Sequence, residues 1–261
     1  MHLVIIDALN LIRRIDAVQS KHNSDEAVLN SARSKVLDQA INKLQQRLNP
    51  SHSIAIFDAP TPSSWRYRRY PEYKAKRKPM SPNLQSALLN IRQHWQEQGL
   101  FCYINAVDEA DDLIATLASK AAEQQVNVTI VSTDLGFHQL TNPRVQLYDY
   151  FKQCYLDQRS YFDKLNLQPP QLLDYLALIG NSGANIPGVA GVGPKSALQV
   201  LQRYGNIETA LNNADDSVTT LKKIRDAVDD FQLAKELLSY RLDIELGFSL
   251  RQLRCDRQIS T

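Results

Sequence analysis

The alternation of apolar runs with amphipathic stretches predicts an α/β protein: a mainly parallel sheet flanked by helices, followed by a smaller helical region. Three observations carry this reading. Short apolar runs stand at residues 3–6, 54–57 and 128–132, as strands buried on both faces require. Between them the apolar residues recur every third or fourth place, the period of a helix with one buried face. Beyond about residue 160 the strand signal stops and only helical periodicity continues.

In order along the chain, Leu3-Val4-Ile5-Ile6 opens the sheet. A helix is predicted over 25–48, where Ala27, Val28, Ala32, Val36, Leu37, Ile41, Leu44 and Leu48 share a stripe. The strand at 54–57, a helix at 83–98 and a short strand at 103–105 follow. Residues 109–122 are amphipathic, with Leu113, Ile114, Leu117, Ala118 and Ala121 as the buried side, and they lead to the strand at 128–132. Helices are then expected at 171–179, 195–204, 207–214 and 231–240, with Pro169-Pro170 as a start signal and glycine-rich residues 180–193 between the first two. The division expected is 1–160 and 161–261. The stretch 246–261 carries no pattern.

The chain has 261 residues, 43% hydrophobic and 22% charged, which excludes disorder, collagen-like repeats and a disulfide-stapled miniprotein. Thirty Lys plus Arg against 28 Asp plus Glu leave +2, so a histone-like polycation is excluded. An enzyme that keeps acids and bases apart is not. Cys102, Cys154 and Cys255 are too dispersed for a disulfide framework or a zinc knuckle. The first residues have no signal-peptide pattern and no run of 18 apolar residues occurs, so a cytoplasmic protein without membrane contact is expected.

The distribution of charge says more than its sum. Each principal strand ends in or leads to an acid: Ile6-Asp7, Phe57-Asp58 and Ser132-Thr133-Asp134. Ligands of open α/β sheets bind outside the carboxyl ends of the strands, so these acids would meet at one rim. Asp108-Glu109-Ala110-Asp111-Asp112 adds acids at a helix start. Glu109 and Asp112 share a face, whereas Asp111 lies about 200° around the helix from Glu109. Such a crevice repels itself unless a cation occupies it, and Mg²⁺ suits hard oxygen ligands. The bland alternative is that each acid caps a helix or turn. His138, one turn after Asp134, is either a fourth kind of ligand or a core histidine.

Residues 66–78 hold seven bases, one acid and three tyrosines, a composition suited to phosphates and splayed bases, or to a solvated surface. Gly188-Val189-Ala190-Gly191-Val192-Gly193-Pro194-Lys195-Ser196 places tight turns before a helix whose free N–H groups can hold a phosphate. It is not a P-loop, because Pro194 stands before the lysine. Contacts of this type read backbone phosphates rather than bases.

Taken together, these motifs resemble the 5′-nuclease family: the 5′–3′ exonuclease domain of DNA polymerase I, phage 5′-nucleases and flap endonucleases. The resemblance rests on Val4-Ile5-Ile6-Asp7-Ala8-Leu9-Asn10, Phe57-Asp58, Tyr70-Pro71-Glu72-Tyr73-Lys74 with Arg77, Glu109-Ala110-Asp111-Asp112, Ser132-Thr133-Asp134, and Asn185-Ile186-Pro187-Gly188-Val189. It implies a PIN-like catalytic α/β domain over 1–160, a basic helical arch at about 62–98, and a C-terminal helix–hairpin–helix-type region with its DNA-binding hairpin at about 180–196. Asp7, Asp58, Glu109, Asp111, Asp112 and Asp134 would be the Mg²⁺-binding acids. Lys74 and Arg77 would face the scissile phosphate, so that Asp7, Asp58, Lys74, Arg77 and Asp111 are the expected catalytic set. Backbone carbonyls of Leu178, Ile179, Pro187, Val189 and Val192 would hold K⁺, and Gly191, Val192, Gly193, Pro194, Lys195 and Ser196 would touch DNA.

The implied reaction is removal of 5′ flaps from branched DNA, left by displacement synthesis in replication and repair, by a monomeric enzyme. Two departures matter. The family's Gly-Asp-Ser-Ser-Asp-Asn-Ile-Pro-Gly is replaced by a segment with Asn181 and Ala184 at the acid positions, and a further family acid is Gly136 here. One directly held Mg²⁺ is therefore expected, with Asp111 its first ligand and a second ion weak or water-mediated. The same losses leave open a degenerate nuclease that binds branched DNA with little cleavage. A PIN-type ribonuclease would have no use for the hairpin, and a sugar-phosphate phosphatase leaves the arm and hairpin unexplained.

Overall fold

The computed structural model describes residues 1–23, 25–59, 64–213 and 218–255. The N-terminal half alternates β1 (His2–Asp7), α1 (Ala8–His22), α2 (Glu26–Leu48), β2 (His52–Phe57), α3 (Trp65–Arg69), α4 (Pro82–Glu97), β3 (Phe101–Ile104), α5 (Ala110–Glu123) and β4 (Asn127–Val131). It closes with β5 (Val145–Asp149) and β6 (Cys154–Leu156). The remainder is helical: α6 (Gln158–Leu165), α7 (Leu172–Ile179), α8 (Pro194–Tyr204), α9 (Ile207–Asn212), α10 (Thr219–Asp226) and α11 (Val228–Leu238).

The strands form one sheet in the order β3-β2-β1-β4-β5-β6, parallel except for the last pair. Chain order reverses between β1 and β4, the switch point beside which open sheets bind ligands. In register, Asp7 faces Ile56 and Ile6 faces Val131, so Asp7, Asp58 and Asp134 leave the sheet at the same rim.

Alternate residues of the same strands feed two cores, as the two-residue period of a strand requires. Val4, Ile6, Ala55, Phe57 and Val131 pack with α1, α2 and α4 on one face. Leu3, Ile5, Ile54, Ile56, Val128 and Ile130 pack with α5 on the other. A third cluster holds α7 to α11 together and takes in Tyr73 from the basic arm.

Several segments without a readable pattern prove ordered. Helix α1 starts directly at Asp7, and the short edge strands β5 and β6 and helices α6 and α10 offer few periodic repeats. Ile244, Leu246 and Leu253 return to the sheet cluster, and Phe248 lies 4.8 Å from the Tyr103 ring. The expected arch residues 62 and 63, Ala214 at the end of one expected helix, and 256–261 lie outside the described residues. Between α3 and α4 the arm makes turns rather than a continuous helix.

Candidate active site

The acids at the rim are fixed by their own main chain before any ligand is considered. Asp7 caps α1, accepting from the Asn10 N–H at 3.1 Å, and its second oxygen accepts from Ser132 Oγ at 2.8 Å. Asp58 accepts from the Ala110 N–H at 2.8 Å, joining the end of β2 to the start of α5. Asp134 accepts from the Gly136 N–H at 2.7 Å. Capping and convergence are thus properties of the same side chains.

Their electrostatics show the convergence. Burial pushes the Asp7 carboxyl up to about 7 against the Ser132 and Asn10 hydrogen bonds, and Asp58 and Asp134 push it further the same way. Burial raises Asp111 well above the carboxylate range; Lys74 opposes this, while Asp7, Asp134 and Asp58 add to it. Four carboxylates therefore act on one another across one crevice, with Asp7 buried and Asp134 at its exposed edge. Among the described residues, no group of three or more His, Cys, Asp or Glu side chains is gathered tightly enough to hold an ion alone. A divalent ion that keeps several of its waters needs few direct ligands, so the spacing of these carboxylates does not bar one.

The remaining two acids pair with the basic arm, and Glu109 also lines the cavity that holds Asp58, Lys74 and Arg77. Asp112, expected among the metal ligands, is fully buried and makes a two-pronged ion pair with Arg66, at 2.6 and 2.8 Å. It also accepts from the Trp65 Nε1–H and the Arg241 N–H, leaving it no direction toward the crevice. Glu109 accepts from Arg66 at 2.9 Å, the Tyr73 hydroxyl at 3.2 Å and Lys74 Nζ at 2.7 Å. The 200° helical offset between Glu109 and Asp111 is what separates these roles.

The arm is divided in the same way. Arg66 is 3% exposed and also donates to the carbonyls of Leu237 and Ser239, so it ties the α/β half to the helical half instead of meeting phosphate. Tyr73 is buried, with its ring edge-on to Tyr67 at 5.1 Å, and cannot stack on a base. Lys74 stays charged: burial alone would lower its pKa, but Tyr73, Glu109 and Asp111 together raise it. Arg77 is exposed. A cavity of about 560 Å³ has Asp58, Lys74, Arg77, Arg92 and Arg13 on its walls.

Arg13 had no signal in the sequence. Its Nε is buried without a hydrogen-bond partner, beside Asp58, Asp7 and Arg77. Burial and Arg77 lower its pKa, while the two carboxylates raise it. Tyr240 was equally hidden. A Cβ on Gly136 would stand 2.6 Å from its hydroxyl oxygen, so the tyrosine fills the space of the acid that the resemblance led one to expect there. His138 is a core residue, stacked on Tyr161 at 4.0 Å, with burial lowering its pKa to about 4.

At the hairpin, α7 ends at Ile179 and Gly180 follows at φ +75°. A Cβ on Gly188 would lie 2.4 Å from the Leu178 carbonyl oxygen, and one on Gly180 would lie 2.6 Å from that of Ile186. Only glycine permits this approach of carbonyls, and the last carbonyls of α7 have no partner within their helix. The Leu178 carbonyl accepts from the Val189 N–H and the Ile186 carbonyl from the Asn181 N–H, both at 2.9 Å. Gly193 is the N-cap of α8 and Pro194 its first residue. Gly191, Gly193, Pro194 and Lys195 are exposed, whereas the Val192 side chain is in the core and leaves only its main chain for a partner. Lys223 of α10 donates to the Gly191 carbonyl at 3.2 Å, an addition the sequence could not place.

Comparison with known proteins identifies the family and the fold. Residues 2–166 match the 5′-3′ exonuclease N-terminal resolvase-like domain, and residues 167–260 match the 5′-3′ exonuclease C-terminal SAM fold. The chain is 43% identical to flap endonuclease Xni of Pseudoalteromonas translucida (strain TAC 125), over 97% of this chain and 98% of that one. It is 41% identical to flap endonuclease Xni of Vibrio cholerae, over 97% and 96%. Among solved structures, the bacteriophage T5 flap endonuclease in complex with DNA and metal ions shares the fold, with a TM-score of 0.75 at 19% identity over 91% of this chain and 89% of that one. Flap endonuclease-1 from Methanococcus jannaschii does so with a TM-score of 0.58 at 16% identity, over 95% and 81%. The chain belongs to the 5′-3′ exonuclease family, as the motifs at its strand ends and hairpin led one to expect.

Proposed function

We propose that this protein is a structure-specific 5′ flap endonuclease, a Mg²⁺-dependent hydrolase of DNA phosphodiesters that removes 5′ flaps left by displacement synthesis in replication and repair. The observation that carries the reading is the crevice of Asp7, Asp58, Asp111 and Asp134 at the switch point, faced by Lys74 and Arg77. We take residues 1–160 as the catalytic unit and 161–261 as the DNA-gripping one, working in the cytoplasm as a monomer.

Asp111, together with Asp7, Asp58 and Asp134, would hold one ion; a second ion would be weak or water-mediated. Bound there, Mg²⁺ neutralises phosphate charge and makes a water more acidic. The protein supplies the rest. Ser132 and the Asn10 N–H fix Asp7, and the Ala110 N–H fixes Asp58. Lys74 would exchange Glu109 for the scissile phosphate and, with Arg77, offset charge that grows in the transition state. Carbonyls of Leu178, Ile179, Pro187, Val189 and Val192 would bind K⁺. Residues 191–196 would hold duplex phosphates through their main chain and Lys195. Distance between hairpin and crevice then selects a branch, not a sequence.

A second reading, a degenerate nuclease that grips branched DNA and cuts poorly, draws on the Tyr240 hydroxyl beside Gly136. Matched DNA and RNA 5′ flaps and plain duplex, each with Mg²⁺, separate the readings. Preferential release of the DNA flap is expected; tight binding of the DNA flap without cleavage favours the degenerate nuclease, and either that or preference for the RNA flap overturns the proposal.

A further inference from the structure

Two contacts join the basic arm to the hairpin. The Asn185 side-chain amide donates to the Glu72 carbonyl at 2.7 Å, and the Lys74 N–H donates to the Ala184 carbonyl at 2.7 Å. Both residues at this junction hold left-handed backbone, Lys74 at φ +56° and Asn185 at φ +53°. Asparagine tolerates that region; for lysine it costs free energy that the surroundings must supply. The turn that follows is closed by Arg77 N–H to the Lys74 carbonyl at 2.9 Å, so both basic residues hang from the strained position. The hairpin side is equally firm. Asn181 and Ile186 exchange two main-chain hydrogen bonds at 2.9 Å, and the Asn181 side chain accepts from the Ala184 N–H at 3.1 Å.

We infer that Asn185 is a positioning residue: it ties the element that holds duplex to the turn that carries Lys74 and Arg77, so that seating the duplex sets the basic pair against the phosphate. This rests on the flap-endonuclease reading and adds to it the coupling between its two halves. Asn185 need not touch DNA. Its amide holds Glu72, two residues before Lys74, while the adjoining Ala184 carbonyl holds Lys74 itself. Without the tie, a lysine with left-handed backbone has a nearby alternative in ordinary backbone, which would carry its side chain away from the crevice.

Asn185→Gly and Asn185→Asp both keep access to left-handed backbone and both remove the donor. Single-turnover cleavage of a saturating 5′-flap DNA should fall about 3- to 10-fold, the order of one ordinary hydrogen bond, with Kd for that DNA unchanged within about twofold. In a Lys74→Ala background, Asn185→Gly should cost less than it does in the wild type, because part of its effect runs through Lys74. Amide hydrogen exchange gives a readout independent of cleavage: the Lys74 N–H should exchange faster in Asn185→Gly than in the wild type. A loss confined to Kd, an effect that multiplies with Lys74→Ala, or unchanged exchange at Lys74 overturns the inference. If the wild type binds the flap but does not cut it, the flap-endonuclease reading fails, and the exchange measurement alone decides the tie.

Discussion

Removing Asp112 tests whether this acid belongs to a buried ion pair or to the metal crevice. In Asp112→Ala, Arg66 loses both oxygens of its two-pronged partner while remaining 3% exposed between the two halves of the molecule. Glu109 and the Leu237 and Ser239 carbonyls stay in place, but they do not replace a carboxylate at 2.6 Å. Arg66 keeps the Glu109 carboxylate at 2.9 Å as a counterion, so the cost is that of buried donors losing their acceptors, about 1–3 kcal/mol. For a chain of this size that corresponds to a fall in Tm of roughly 2–12 °C. The assay is thermal unfolding in EDTA of the wild type, Asp112→Ala and Asp111→Ala. Asp111→Ala removes a charge that repels its neighbours and should leave Tm equal or higher. If Asp112→Ala keeps the wild-type Tm and instead weakens Mg²⁺ binding, the reasoning is wrong and Asp112 is a ligand.

The other expectations are shorter. Asp7 has a folded pKa near 7 against an ordinary value of 3.8, so in EDTA its contribution to stability is full below about 3.8 and is lost as pH rises through 7. Asp7→Asn should remove that pH dependence and raise stability at pH 8 by up to about 4 kcal/mol, measured by urea unfolding, while abolishing flap cleavage. Lys74→Ala should lower the single-turnover rate by about 10²–10³ with little change in flap affinity, as expected for a donor that acts mainly in the transition state. Gly188→Ala should drive a methyl group against the Leu178 carbonyl, cost about 1–3 kcal/mol in denaturant unfolding and weaken duplex binding.

Much of this molecule was legible in its sequence because strand ends and glycines are local signals. A buried parallel strand is a continuous apolar run, and the acid that follows it can be named before any register is known. Asp7, Asp58 and Asp134 are accessible in that way, and Asp111 as one of a run of acids at a helix start. What stayed hidden depends on contacts between distant segments. Nothing around Arg66 distinguishes it from the solvated bases beside it, because its partners Asp112, Leu237 and Ser239 come from other elements. Tyr240 reaches Gly136 across about a hundred residues of chain, and Arg13 lies on a helix whose start coincides with a metal-facing acid. The helical offset between Glu109 and Asp111 argued against all three acids meeting at one point but left it open through a frayed first turn or bridging water. The structure shows where the others went.

The central claim is that the carboxylate crevice cuts DNA flaps with a divalent ion held chiefly through Asp111. The most direct measurement is release of a 5′-labelled DNA flap by wild type and Asp111→Ala across a Mg²⁺ and Mn²⁺ titration, with EDTA as the zero point. The account predicts cleavage by the wild type that rises with metal and vanishes in EDTA, and none by Asp111→Ala, which still binds the flap. Tight binding by the wild type with no cleavage at any metal concentration, or normal cleavage by Asp111→Ala, would contradict it.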